Sequence, residues 1–212
     1  MRIGIDEAGR GALIGPMIVA GVAISDSKLK FLKGIGVKDS KQLTRERREK
    51  LFDIIAITVD AFTVVKVFPY EIDNYNLNDL TYDAVSKIIL SLSVFNPEIV
   101  TVDKVGEEKP VIELIRKLGY KSNVVHKADV LFVEASAASI IAKVIRDNYI
   151  DELKKVYGDF GSGYPADPRT IKWLKSFYEK NPNPPPIVRR SWKILRSTAP
   201  LYYISKEGRR LW

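Results

Sequence analysis

Short apolar runs rich in β-branched residues alternate with longer segments whose apolar residues recur every three or four positions, and this alternation restricts the chain to a mixed α/β architecture. Ile3 to Ile5, Met17 to Ile24 and Ala61 to Val67 read as strands, the first two separated by the turn-forming Gly9-Arg10-Gly11 and Gly15-Pro16. Thr44 suits the cap of a basic helix with Leu51, Ile54 and Ile55 facing inward. Asn78 opens a second helix with Leu80, Ala84, Ile88 and Leu92 on one stripe, stopped before Pro97. Ile99 to Val102 predicts a short buried strand, Pro110 and Gly119 bracket a helix, and Tyr120 to Val125 predicts the fifth strand. From Val133 to Tyr157 a long helix is expected, with small residues in its first half that permit close packing on a sheet. Asp167-Pro168 begins another, and after the proline-rich stretch 181–186 a final basic helix is expected from Val188 to Arg196. The expected fold is a five-stranded mixed sheet flanked by helices, with residues 1–160 forming the main domain and 161–212 a small C-terminal helical lobe.

Composition narrows the chemistry. With no cysteine, disulfides, thiolate catalysis and Cys-ligated zinc are excluded, and His126, the single histidine, leaves no mechanism that needs two imidazoles. No apolar run follows a basic leader and none is long enough to span a bilayer, so a cytoplasmic protein without membrane contact is expected. The net charge of +8 is uneven: Lys28 to Lys50 holds nine basic against three acidic residues, and Lys180 to Trp212 eight against one, so the remainder is net acidic. Basic flanks around an acidic body suit a polyanion held from outside while the acids do other work; two solvated basic faces are the competing account.

Two predicted strands run into carboxylates, Ile3-Gly4-Ile5 into Asp6-Glu7 and Ile99 to Val102 into Asp103. Open α/β sheets bind ligands beyond the carboxyl ends of their strands, so parallel neighbours would bring Asp6 and Asp103 into one cleft. Gathered carboxylates repel unless a cation is present, and an oxygen-only set suits Mg²⁺ or Mn²⁺. Each acid taken alone is better explained as a surface or capping residue. In Asp6-Glu7-Ala8-Gly9-Arg10-Gly11 the glycines let a backbone approach a ligand and the arginine can reach a phosphate.

That run resembles the opening signature of the ribonuclease HII family, in its archaeal form. Further matches follow in order: Lys38-Asp39-Ser40-Lys41-Gln42-Leu43, Val102-Asp103, His126-Lys127-Ala128-Asp129, Ser136 to Val144, and Gly161-Ser162-Gly163-Tyr164-Pro165. The resemblance implies a ribonuclease H-like catalytic domain with a C-terminal substrate-binding extension. It implies an endonuclease that hydrolyses the RNA strand of RNA/DNA hybrids and incises 5′ of a single ribonucleotide in duplex DNA. Asp6, Glu7, Asp103 and Asp129 would bind two divalent ions, one activating the attacking water and the other stabilising the leaving 3′ oxygen, to give 5′-phosphate and 3′-hydroxyl ends. Gly9, Arg10, Gly11 and Tyr164 are similar to the family's ribonucleotide sensor, in which backbone groups bond the 2′-hydroxyl that distinguishes RNA. Lys38, Ser40 and Lys41 resemble its phosphate-contacting loop, and Ser139 and Lys143 occupy the corresponding helix positions.

Ordinary structural accounts compete at several of these positions. Asp129 could cap the long helix, Tyr164 could fill a core, Ser139 and Lys143 could pack on the sheet, and Lys38 and Lys41 could be solvated. Arg189, Arg190, Trp192, Lys193 and Arg196 would surround an aromatic with basic groups able to clamp duplex DNA, or Trp192 could anchor a terminal helix. The segment 131–135 departs from the family pattern and adds an acid, Glu134. No bacterial-type clamp-binding tail is recognisable, although Tyr202-Tyr203 and Leu211-Trp212 leave an apolar terminus open to a replication-clamp contact. A monomer is expected. A resolvase-like enzyme acting on DNA, or a non-catalytic duplex binder, would use the same charges; cleavage confined to ribonucleotide-containing duplex in the presence of divalent metal separates all three.

Overall fold

The computed structural model describes residues 1–37, 43–206 and 208–211. Five strands form one mixed sheet in the order β3-β2-β1-β4-β5: β1 (Arg2–Ala8), β2 (Met17–Ile24), β3 (Ala61–Val67), β4 (Ile99–Asp103) and β5 (Lys121–Val125). β1 runs antiparallel to β2, with Glu7 opposite Val19, and parallel to β4, with Ile5 opposite Val102. β4 in turn runs parallel to β5, pairing Asp103 with Val125. β2 is apolar along its whole length and every one of its residues is buried, as a strand covered on both faces requires, while β1 from Ile3 and β4 are largely apolar until they reach Asp6 and Asp103.

Nine helices accompany the sheet among the described residues: α1 (Asp26–Gly34), α2 (Arg45–Thr58), α3 (Pro69–Asn74), α4 (Leu77–Leu92), α5 (Lys109–Lys117), α6 (Ala128–Leu131), α7 (Val133–Tyr157), α8 (Pro168–Lys180) and α9 (Leu195–Thr198). Several begin as the sequence suggests. The Thr44 hydroxyl accepts from Arg47 N at 3.2 Å, and the Asp167 carboxylate from Arg169 N at 2.9 Å. At α4 the cap is Asn76, whose Oδ1 accepts from Asn78 N and Asp79 N, so the helix starts one residue before the expected Asn78. No helix among the described residues is long and apolar enough to cross a membrane.

The chain forms two compact units. The first comprises Met1–Ala8, Ile18–Lys66 and Thr81–Ile145. In its core, Ala137, Ala138, Ile140, Ile141 and Ala142 of α7 pack with Ile18, Ala20, Val22 and Ile24 of β2 and with Leu51 and Ile55 of α2. The small side chains allow α7 to lie very close to β1: a Cβ added to Gly4 would stand 2.1 Å from the carbonyl carbon of Glu134.

The second unit comprises Gly9–Met17, Val67–Leu80 and Arg146–Trp212. Leu13 and Ile14 join Ile150, Phe160, Leu174, Val188, Leu195 and Tyr202 in its core. Here the expected helix from Val188 to Arg196 is replaced by an extended turn and one short helix, α9. Tertiary contacts explain the correction. Val188 pairs with Ile14, and the buried Asp73 carboxylate accepts from the main-chain N–H groups of both Arg190 and Ser191 at 2.9 Å. A carboxylate that captures two successive N–H groups outweighs a modest helical propensity.

Candidate active site

The parallel register of β1 and β4 carries Asp6 and Asp103 to the same end of the first unit. Ligand oxygens of Asp6, Glu7 and Asp103 all lie within 4.8 Å of one another. Asp6 is buried, whereas Glu7 and Asp103 are half-buried. Asp103 is fixed by a hydrogen bond from Ala128 N to its Oδ1, 2.9 Å, across the turn where Lys127 takes a left-handed conformation (φ 59°). Behind it, the Tyr82 hydroxyl accepts from Val105 N at 3.3 Å.

Asp129 lies just beyond that turn. It is buried within α6, and its charge reaches Asp6 although it stands outside the close trio. Burial pushes the Asp6 carboxyl up to about 7. A hydrogen bond with the Ser139 side chain and one from the Glu7 backbone pull it back, while the charges of Asp129 and then Asp103 add to the rise. Ionising the whole cluster at neutral pH thus calls for an added positive charge. Its donor set is entirely carboxylate oxygen, which suits a hard divalent cation held with waters.

The remaining expected residues fall as follows. Ser139 is buried on α7 beside Asp6, and Lys143 is half-buried one turn further along the same helix. The extra acid, Glu134, is buried and accepts from the Thr101 hydroxyl at 2.9 Å, with Arg2 at 4.0 Å; it fastens the first turn of α7 to β4 and is not one of the clustered acids. Lys38, Ser40 and Lys41 lie outside the described residues.

Within the second unit, Gly9 adopts φ +81°, and a Cβ there would meet the Arg146 Nε at 2.2 Å. Leu13 N and Ile14 N both donate to Gly163 O, at 2.8 and 3.0 Å, tying the segment after the glycine turn to the loop that carries Tyr164. The Arg146 guanidinium lies 4.7 Å over the Tyr164 ring and donates to Ile14 O. Arg10 reaches the Asn78 side chain. Gly9, Arg10, Gly11 and Tyr164 therefore belong to one packed unit, with Tyr164 half-buried.

Sequence reasoning missed the group beneath this turn. Arg189, expected on a DNA-facing helix, is fully buried and donates to the carbonyls of Gly9, Arg10 and Gly15 at 2.7, 2.8 and 2.9 Å. Burial, then the neighbouring Arg146, lowers its pKa to about 9, so the guanidinium stays charged at neutral pH. Charge counts along the chain carry no signal that separates this arginine from its exposed neighbours.

The mixed sheet, with carboxylates gathered where two parallel strands end, has the architecture that the resemblance to a ribonuclease H-like enzyme implies. Comparison with known proteins narrows this. The family pattern of ribonuclease HII matches residues 3–195. The chain is 95% identical over 212 residues to ribonuclease HII of Saccharolobus solfataricus, covering 100% of both chains. Among solved structures it is similar to ribonuclease H2 from Pyrococcus horikoshii (41% identity, TM-score 0.83, 95% of this chain and 98% of that one). It is also similar to the ribonuclease HII chain in a complex with PCNA from Archaeoglobus fulgidus (42% identity, TM-score 0.82, 92% and 95% covered). The chain belongs to the ribonuclease HII family, in its archaeal form. It is an endoribonuclease that hydrolyses the RNA of RNA/DNA hybrids.

Proposed function

We propose that the protein also incises 5′ of single ribonucleotides embedded in duplex DNA, using divalent ions held by Asp6, Glu7, Asp103 and Asp129 and leaving 5′-phosphate and 3′-hydroxyl ends. The observation that carries this reading is the convergence of Asp6, Glu7 and Asp103 within 4.8 Å, followed one residue after β1 by the Gly9-Arg10-Gly11 turn. Two Mg²⁺ or Mn²⁺ ions bound there would supply positive charge to the attacking water and to the departing 3′ oxygen.

The protein's own groups do the rest. The Ser139 side chain bonds the buried Asp6 carboxyl, and the Ala128 N–H holds Asp103. The backbone of Gly9 to Gly11 bonds the 2′-hydroxyl, and Tyr164, backed by Arg146, packs on the neighbouring sugar. Lys38, Ser40, Lys41 and Lys143 hold phosphates without reading sequence. Residues 161–212 extend the substrate surface beyond the catalytic domain of residues 1–160. The protein works as a cytoplasmic monomer and meets a replication clamp through its C-terminus; contact with a clamp, though not its place on the chain, is supported by the PCNA complex of the Archaeoglobus relative.

The test is a DNA duplex containing one ribonucleotide, incubated with Mg²⁺, Mn²⁺ or chelator. Metal-dependent incision on the 5′ side of that nucleotide is expected, with an all-DNA duplex left intact. A ribonucleotide duplex that survives in both metals, or cleavage of the all-DNA control, would refute the proposal.

A further inference from the structure

A glycine-rich turn has few side chains with which to fix its own peptide planes, yet a turn that recognises one hydroxyl must hold its N–H groups still. Gly11 shows the difficulty: an added Cβ there would meet nothing within 4 Å, so its outer side is open. The inner side is held. The Arg189 guanidinium forks onto Gly9 O and Arg10 O, the two carbonyls of successive peptide planes, and its Nε takes Gly15 O at the far end of the loop. The Trp192 indole lies against Arg189, 5.1 Å from its Cζ, and directs its N–H at Gly11 O, 3.4 Å away.

In a trans peptide the N–H points opposite to the C=O. Carbonyls of Gly9 and Arg10 drawn toward the buried guanidinium therefore turn the N–H groups of Arg10 and Gly11 away from it. Among the described residues no carboxylate comes within 4.0 Å of Arg189. A buried cation without a contacting counter-ion is expensive, and its charge-assisted bonds here all go to the main chain of this one loop. Arg146, also buried, fills the space beneath Gly9 and lies over the Tyr164 ring, so the same layer supports both parts of the sugar-facing surface.

We infer that Arg189, assisted by Trp192, is a positioning residue for ribonucleotide recognition: it sets the peptide planes of Gly9, Arg10 and Gly11 so that the turn presents donors to the 2′-oxygen. This rests on reading Gly9 to Gly11 as the sugar-sensing turn. A lysine retains the charge but replaces the planar fork with a single point, which cannot span three carbonyls in the same geometry.

The experiment compares wild type, Arg189→Lys and Trp192→Phe on a duplex with one ribonucleotide, together with the dissociation constant for an all-DNA duplex and the Tm of each protein. Arg189→Lys is expected to lower kcat by about 100-fold, the scale of a roughly 1 Å misplacement. Trp192→Phe should lower it by about 3-fold to 10-fold. Binding of the all-DNA duplex should stay within about 3-fold for both, because phosphate contacts dominate it. Millimolar ethylguanidinium, but not ethylammonium, should restore part of the rate in Arg189→Ala. Wild-type kcat in a folded Arg189→Lys overturns the inference, as does a parallel loss of DNA binding and rate. If Arg189→Lys does not fold, an unchanged rate in Trp192→Phe overturns it and a reduced rate with intact DNA binding supports it. A wild-type enzyme that cut ribonucleotide and all-DNA duplexes alike would instead refute the underlying reading of the turn.

Discussion

Replacing Asp6 by Asn should inactivate the enzyme and, in the absence of metal, stabilise it. The folded carboxyl sits at about 7 against an ordinary 3.8. Below pH 4 both folded and unfolded chains hold the proton and the residue contributes nothing to the balance. Between about pH 4 and 7 the unfolded chain releases its proton first, so the folded state binds more protons and stability falls as pH rises. Above pH 7 the full penalty applies, about 4 kcal/mol at 1.36 kcal/mol per pH unit, and roughly half that if the cluster relaxes around the charge. Asn keeps nearly the same shape and never ionises. For a chain of this size, 2 to 4 kcal/mol corresponds to roughly 4 to 16 °C in Tm. Thermal unfolding of both proteins in chelator, from pH 4.5 to 8.5, should show the variant's advantage smallest at the acid end, about a quarter of its full size, and growing through pH 7. Adding Mg²⁺ should narrow it by stabilising the wild type. An advantage that did not change with pH would refute the reasoning, since every other titrating group is common to both proteins.

Other expectations follow from the packing. Glu134→Gln should keep kcat within about 3-fold, because that acid bonds Thr101 and stands outside the clustered trio, while Glu134→Ala should lower stability by about 1 to 3 kcal/mol in denaturant titration by leaving the buried Thr101 hydroxyl without its acceptor. Gly4→Ala would drive a methyl group to 2.1 Å from backbone of α7, and a loss of at least about 3 kcal/mol or failure to fold, read by circular dichroism, is expected. Lys143→Ala should weaken hybrid binding and reduce the slope of log affinity against log salt by about one, with cleavage-site choice unchanged on a sequenced substrate ladder.

The parts of the molecule that sequence reveals are those whose signal is local. The strand runs and the limits of α7 could be read because apolar periodicity and the glycine or proline breaks agree there. Asp6 and Asp103 could be paired because parallel strands must end together. Three short or weakly patterned helices were not legible: α1, with Leu32 its only buried residue, α3 with six residues and α6 with four. Asp129 depends on a left-handed Lys127, a conformation that residue type does not announce. Residues 188–194 fail for the opposite reason. Their basic and apolar spacing looks helical, but contacts from Asp73, Ile14 and the glycine turn, all distant in sequence, determine their path. Arg189 is therefore hidden from any argument made from neighbours in the chain.

The central claim is that Asp6, Glu7 and Asp103 form a cation site. Titration calorimetry with Mn²⁺ at pH 7, on the wild type and on Asp103→Asn, tests it most directly. Saturable binding accompanied by proton release is expected for the wild type, with affinity at least about 10-fold weaker in the variant. Equal affinity in the two proteins, or no saturable binding to either, would contradict the account.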